Sequence, residues 1–137
     1  MAKTVPFTLI TPTAVAFEGD AELVIVVGTE GEEGILASHA PFLTALRPGI
    51  LRANVVEGEA TKRIEMATSE GFLPALPDRV TVLVDAAFSH EEIDVAAARH
   101  ELAEATERQK GMTPQTAEYA REQAKIDFAH AKLTLAA

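Results

Sequence analysis

Apolar and polar positions follow two different patterns along the chain, and the change falls near residue 88. Before it, apolar residues occur in short runs that are rich in Val, Ile, Thr and Phe and bounded by Gly or Pro, which is typical of β-strands. The runs cover residues 5–10, 23–27, 50–56, 62–67 and 80–84. No helix-length periodic segment separates them, which disfavours parallel β-α-β units. The first part of the chain therefore predicts an antiparallel sandwich or barrel.

After residue 88 the composition changes to Ala, Glu, Lys and Arg without β-branched runs, which favours α-helix. This pattern predicts two helices, at about residues 91–110 and 114–135. Because only three residues connect them, we expect antiparallel neighbours that form a helical hairpin. The chain then divides into a β domain of residues 1–88 and a hairpin of residues 89–137.

The ends of both helices carry recognisable capping residues. Ser89 followed by Glu92 has the spacing of a capping box, which predicts the start of the first helix. Gly111 can end that helix. Thr113 is then a candidate N-cap for the second helix, with Pro114 at the first helical position, where its missing N–H costs nothing.

Each predicted helix carries a narrow apolar stripe made mostly of Ala. The stripes are Val95, Ala98, Leu102 and Ala105 on the first helix, and Ala117, Ala120, Ala124, Phe128, Ala131 and Leu135 on the second. Small side chains let two helices approach closely but bury little apolar area. We therefore expect the hairpin to be the less stable part of the molecule and a candidate for movement.

Composition limits the classes of function. With 137 residues, 47% of them apolar and 24% charged, the chain is long enough for a globular core. The net charge of -9 disfavours binding to nucleic acid or to an anionic membrane surface. The absence of cysteine excludes disulfides, thiolate nucleophiles and cysteine metal sites. The longest apolar run has five residues, far fewer than the roughly 20 that span a bilayer.

Candidate chemistry is sparse. The four His are scattered without metal-ligand spacing, and the Ser-His pairs at 38–39 and 89–90 lack a nucleophile-elbow motif. The glycine-rich run at residues 28–34 carries three Glu and no phosphate-binding Lys, so it does not predict a nucleotide loop. The run is either a solvated turn or a docking loop that contacts a partner with basic or polar loops. No catalytic, metal or cofactor site is predicted.

The segment GTEGEEGILASHAPFLTALRPG at residues 28–49 strongly resembles the epsilon subunit of bacterial F-type ATP synthases, and so does the segment at residues 69–85. Specific motifs extend over about residues 4–110, and the remaining chain matches as a helical hairpin in length and Ala content. The resemblance implies an antiparallel β-sandwich of about ten strands followed by two antiparallel helices, which agrees with the pattern above.

For function, the resemblance implies a non-catalytic rotor subunit of the central stalk. Such a subunit joins the gamma subunit to the membrane c-ring, couples proton translocation to ATP synthesis and needs no cofactor. By position in the matched motif, Glu32 and His39 would contact the polar loops of the ring. The implied location is peripheral, at the cytoplasmic face of the bacterial inner membrane, without a transmembrane segment of its own.

The resemblance also implies that the hairpin can extend and contact the alpha/beta catalytic head transiently, where it blocks ATP hydrolysis. Arg121 and Lys125 share one helix face and are the candidate inhibitory contacts. The alternative function is an ATP-sensing regulatory subunit of the same fold. ATP-sensing relatives carry Ile/Leu-Asp-x-x-Arg-Ala, but here Ala97 occupies the Arg position and Arg99 lies on another face, so no nucleotide-binding residue is predicted.

Overall fold

The computed structural model describes residues 3–137, which form nine strands, one 3-10 turn and two α-helices. The strands are β1 Val5–Ile10, β2 Val15–Gly28, β3 Gly31–Leu36, β4 Phe42–Leu46, β5 Gly49–Glu57, β6 Ala60–Thr68, β7 Gly71–Leu76, β8 Arg79–Val84 and β9 Ala87–Ser89. The turn spans His90–Glu92, and the helices are α1 Val95–Lys110 and α2 Ala117–Ala136. A mainly β chain with a C-terminal helical hairpin is thereby confirmed, with nine strands where the resemblance implied about ten.

Strand β2 is long enough, at 14 residues, to belong to both layers of the sandwich. Its N-terminal half pairs with β1. From β1 one layer, here called the second layer, continues through β8 and β7 to β4. The C-terminal half of β2 lies between β3 and β5, and the first layer continues through β6 to β9. Neighbouring strands are antiparallel except β1 and β8, which are parallel.

Strict alternation along the strands builds the core between the layers. In β1, Val5, Phe7 and Leu9 are buried, and in β8 the alternate residues Val80 and Val82 are buried. The prediction at residues 23–27 captured only part of β2, because residues 15–22 mix Gly, Glu and Asp with the apolar residues. That part of β2 forms a strand because β1 pairs along it.

The structure corrects both predicted helix starts. Glu92 accepts a hydrogen bond from the Ser89 N–H at 2.9 Å, but this closes only the 3-10 turn. Helix α1 begins later, at Val95, where the Asp94 carboxylate accepts from the Ala97 N–H at 3.0 Å. Capping groups on both Ser89 and Asp94 compete for the start of the helix, and the second one forms the α-helical cap.

Helix α2 begins at Ala117 and not at Pro114. Gln115 has φ 73°, a left-handed conformation that cannot continue a right-handed helix from Pro114. The Thr116 hydroxyl then accepts a hydrogen bond from the Tyr119 N–H at 3.2 Å and caps the helix. The predicted cap Thr113 therefore lies in the connection between the helices.

The predicted Ala stripe is correct for α1, in which Ala98 and Ala105 are buried. It is only partly correct for α2, because Ala117 and Ala120 are exposed at the hairpin tip. The buried face of α2 instead consists of Glu122, Ile126, Ala129, Ala131 and Lys132. Two charged residues, Glu122 and Lys132, thus belong to the buried face of α2. A search for apolar periodicity cannot find them because they are not apolar.

Candidate functional site

Glu32 lies on a strand near a tight turn rather than on a loop. Gly28 and Gly31 pair across the end of the β2–β3 hairpin, and Gly31 has φ 129°, which favours glycine. The Glu32 carboxylate, whose side chain is 58% exposed, contacts the Arg52 guanidinium of β5 at 3.2 Å. Arg52 also contacts Glu65 of β6 at 3.4 Å. The predicted docking loop is therefore a short hairpin in which Glu32 is held in place and still reachable from solvent.

His39 lies in the turn that follows β3, where Ser38 has φ 65°. Its Nδ1 lies 2.7 Å from the Leu36 carbonyl oxygen, which accepts a hydrogen bond, so Nδ1 is the donor. The ring packs edge-on against Phe42, with centroids 5.6 Å apart. Its Nε2 is buried without a hydrogen-bond partner among the described residues. His39 fixes the shape of this turn.

The structure separates the two predicted docking residues along one strand. Glu32 pairs with Val27 near the hairpin tip, whereas His39 follows Leu36 at the far end of β3. At about 3.3 Å per residue, the four steps along β3 from Glu32 to Leu36 span roughly 13 Å. Among the described residues β3 pairs with β2 alone, so its other edge is open. Any partner that contacts both residues must lie along the length of β3.

Sequence reasoning missed an apolar row on the outer face of the second layer. Successive pairings place five apolar side chains side by side across five strands: Ala45, Phe72, Leu83, Ile10 and Val15. Phe72 is 57% exposed, Leu83 42% and Val15 55%. We call these five residues the outer row. The sequence contained one signal of this row. Leu83 is apolar, although it lies between the buried Val82 and Val84, where strand alternation predicts a polar residue.

The predicted inhibitory cations are both exposed on α2. Arg121 and Lys125 line a cleft of about 270 Å³ between α2 and the sandwich, and the opposite side of the cleft includes Glu70 and Asp85. The Lys125 ammonium also lies 3.0 Å from the Glu122 carboxylate. In this conformation Lys125 is paired within α2, and both cations lie on a cleft whose far side carries acidic residues.

Polar groups join the two helices near the hairpin tip. The hydrogen bond from the Arg108 guanidinium lowers the pKa of the buried Glu122 and, in turn, raises the pKa of Arg108. Lys125 adds to the lowering of the Glu122 pKa, and Glu104 adds to the raising of the Arg108 pKa. Gln109 strengthens the same seam by donating to the Gln123 side chain at 2.9 Å.

The residues that match the nucleotide motif have structural roles or are exposed. Asp94 caps α1, while Ala97 and Arg99 are exposed on that helix. Within the described part of the chain, no group of three His, Cys, Asp or Glu side chains is arranged to hold a metal ion. Among residues 3–137, no helix is both long and apolar enough to cross a membrane.

Comparisons with known proteins place this geometry in a family. Residues 4–90 match the family model described as "ATP synthase, Delta/Epsilon chain, beta-sandwich domain". The ATP synthase epsilon chain of Magnetococcus marinus is 35% identical over 133 residues, which cover 97% of this chain and 94% of that protein.

Solved structures share the fold. A chain in the Euglena gracilis mitochondrial ATP synthase structure (OSCP/F1/c-ring) has a TM-score of 0.73 at 24% identity, covering 93% of this chain and 78% of that one. A chain in the Tetrahymena thermophila mitochondrial ATP synthase structure (central stalk/c-ring) has a TM-score of 0.64 at 19% identity, covering 95% and 97%. The matched sandwich and the similarity over nearly the whole length lead to one conclusion: the chain belongs to the family of ATP synthase epsilon chains.

Proposed function

We propose that this chain is a non-catalytic subunit of the ATP synthase central stalk, which joins the gamma subunit to the c-ring and couples proton translocation to ATP synthesis. Family membership supports the assignment to the complex, and the structurally similar Tetrahymena chain comes from a central stalk and c-ring structure. Through the ring the subunit would lie peripherally at the cytoplasmic face of the bacterial inner membrane.

The observation that carries the proposal is the outer row. Apolar side chains that lie side by side across five strands form a contiguous patch, and contiguous exposed apolar patches mark interaction sites. Burying a side chain of the size of Leu or Phe contributes about 1.5–3 kcal/mol. Phe72 and Leu83 are therefore the expected anchors of a stable contact with gamma.

A second, polar contact would lie along β3, on the face of the sheet that carries Glu32. The Glu32 carboxylate is exposed near one end of the strand, and the turn held by His39 lies at the other. A row of polar loops such as the c-ring presents could contact both ends together. Because Glu32 lies on a strand and pairs with Arg52, the contact would not have to order a loop.

The test is a matched pair of variants in the complete ATP synthase, reconstituted in vesicles. Phe72→Glu places a charge in the outer row, while the control Ala60→Glu places one at an exposed position of β6 in the other layer. We expect Phe72→Glu to reduce retention of the subunit by gamma and to lower proton-driven ATP synthesis, and Ala60→Glu to leave both unchanged. Equal retention of the two variants would contradict the gamma contact.

The same vesicles test the ring contact separately. Glu32→Lys reverses one exposed charge on β3 and should weaken coupling while the subunit stays bound through the outer row. Unchanged coupling in Glu32→Lys would remove Glu32 from the proposed contact.

We further propose that the hairpin inhibits ATP hydrolysis modestly by contacting the alpha/beta head transiently through Arg121 and Lys125. Both cations line a cleft together with Glu70 and Asp85 when the hairpin lies on the sandwich, so detachment would remove these acidic neighbours. A chain that ends after Ile93 retains β9 and the 3-10 turn but lacks both helices. Its complex should hydrolyse ATP faster than the wild-type complex, and equal rates would contradict inhibition by the hairpin.

A further inference from the structure

Lys132 lies at the place where the hairpin meets the sandwich. Helix α2 packs on β5, β6 and the 3-10 turn, while α1 packs on α2. The Lys132 side chain is only 8% exposed. Its ammonium lies 5.1 Å from the centroid of the Phe88 ring in β9 and 4.7 Å from that of Phe128 in α2. One cation thus contacts both the hairpin and the sandwich.

The Lys132 charge is neutralised from the other helix. The Glu101 carboxylate of α1 lies 2.6 Å from the ammonium, and the Glu101 side chain is 51% exposed. The two rings that cover the ammonium pack on each other, with centroids 5.9 Å apart. Phe88 is fixed to the sandwich because it pairs with Ala67 of β6. Docking of the hairpin therefore carries the Lys132 ammonium beneath Phe88, while the Glu101 carboxylate stays partly exposed.

We propose that Glu101 and Lys132 form a latch in which neutralisation of the Lys132 ammonium by Glu101 permits the hairpin to dock on the sandwich. A buried ammonium without a carboxylate is strongly unfavourable, whereas replacing a buried ion pair by apolar side chains is often neutral or stabilising. The ion pair lies within the hairpin and can persist after detachment. Loss of Glu101 consequently disfavours the docked state, in which Lys132 would be unpaired and buried.

Other contacts keep the two helices together when the hairpin detaches from the sandwich. The Arg108–Glu122 pair and the hydrogen bond from Gln109 to Gln123 lie near the hairpin tip, and both join α1 directly to α2. The hairpin can therefore leave the sandwich as one unit. This inference concerns the isolated chain and does not depend on the proposed contacts with gamma, the c-ring or the catalytic head.

The experiment measures docking in the full-length protein with two spin labels. The chain has no cysteine, so Glu57→Cys on β5 and Glu118→Cys on α2, both exposed, give one labelled pair. A docked hairpin gives a narrow distance distribution, and a detached one gives a broad distribution. The labelled pair is combined with Glu101→Gln, with Lys132→Met and with both. The matched control is Glu107→Gln, which removes an exposed ion pair with Lys110 on α1.

We expect Glu101→Gln to raise the ratio of detached to docked hairpin about tenfold and the control to leave it unchanged. Lys132→Met should dock at least as well as the wild type, and adding Glu101→Gln to Lys132→Met should have no further effect. Three results would overturn the proposal. They are no effect of Glu101→Gln on docking, an equal effect of Glu101→Gln in the Lys132→Met background, or detachment of the hairpin in Lys132→Met alone.

A second measurement requires no substitution at the latch. Lys62 is exposed on β6 and Lys132 is buried, so an amine-reactive reagent should label Lys132 at least about tenfold more slowly in the wild-type chain. Peptide mass spectrometry reports both rates in one sample. Equal labelling of the two lysines would show that the ammonium is not held beneath Phe88, and would overturn the latch even if a variant failed to fold.

Discussion

Among the glycines, Gly71 is the one at which an added side chain would meet the closest neighbour. It begins β7, immediately before Phe72 of the outer row, and pairs with Val84 of β8. A Cβ atom added to Gly71 would lie 1.9 Å from the Leu83 carbonyl oxygen and 2.8 Å from Val84 Cγ1. The nearest of these atoms belongs to the backbone, so a rotamer change cannot relieve the overlap. Gly71→Ala must therefore separate β7 from β8.

The size of the effect follows from that separation. Ordinary contact begins at 3.4 Å, so the Leu83 carbonyl must move by about 1.5 Å. Overpacking of this kind costs about 1–3 kcal/mol. The nearby hydrogen bond from the Asp85 N–H to the Glu70 carbonyl, already 3.4 Å long, would be lost for about 1 kcal/mol more. We expect a loss of about 2–4 kcal/mol, which lowers the melting temperature by about 10 °C in a chain of this size.

The assay is urea unfolding followed by circular dichroism, with Gly111→Ala as the matched control. Gly111 ends α1 with φ -87°, and the nearest atom to its added Cβ is 4.0 Å away. Ala at this position should change the free energy of unfolding by less than about 1 kcal/mol, with stabilisation possible through the unfolded chain. If Gly71→Ala were as stable as Gly111→Ala, the steric argument for Gly71 would be refuted.

Two further predictions concern the hairpin. The hydrogen bond from Arg108 lowers the pKa of Glu122 below its ordinary 4.5, so its stabilisation is complete above that pH and is lost as the pH falls through the lowered pKa. Thermal unfolding from about pH 6 to pH 3 should show this loss, and Glu122→Gln should reduce the slope; an unchanged slope would contradict the assignment. Asp94→Ala should lower the free energy of unfolding in urea by about 1 kcal/mol because it removes the cap of α1. Thr113→Ala should change it by less than about 0.5 kcal/mol because Thr113 caps neither helix. Equal effects of the two substitutions would refute this assignment of the caps.

The β-sandwich was predictable because its strands alternate between buried and exposed residues. In β1 the inward positions carry Val5, Phe7 and Leu9, and Thr8 points outward, so the sequence itself records the period of two. The first half of β2 was missed because its Gly and Asp positions weaken that pattern. Pairing with β1 over Val5 to Ile10 determines its conformation, and such long-range pairing is invisible in a local window.

The helix starts show the limit of local signals in another way. Both Ser89 and Asp94 can cap a helix, and choosing between them requires the backbone path from β9 into α1. Gln115 is not a residue type that predicts a left-handed turn, so nothing local indicated that α2 begins after it.

For the site, the sequence identified single residues but not their relation in space. Glu32 and His39 were predicted as one docking loop, and the structure places them at opposite ends of β3. The outer row could not be predicted because its members come from strands whose order is set by register. The parallel pairing of β1 with β8, which brings Ile10 beside Leu83, has no local signal.

The positions of Arg121 and Lys125 tie the proposed inhibition to the docked state. In the docked state both cations line a cleft that also contains Glu70 and Asp85 of the sandwich. An acidic surface of the catalytic head would have to compete with acidic groups of the same chain, which have the advantage of high effective concentration. Inhibition should therefore be weak while the hairpin is docked and should increase when docking is disfavoured. Glu101→Gln, which leaves both cations unchanged, should make ATP hydrolysis by the complete enzyme slower, and faster hydrolysis would contradict this coupling between docking and inhibition.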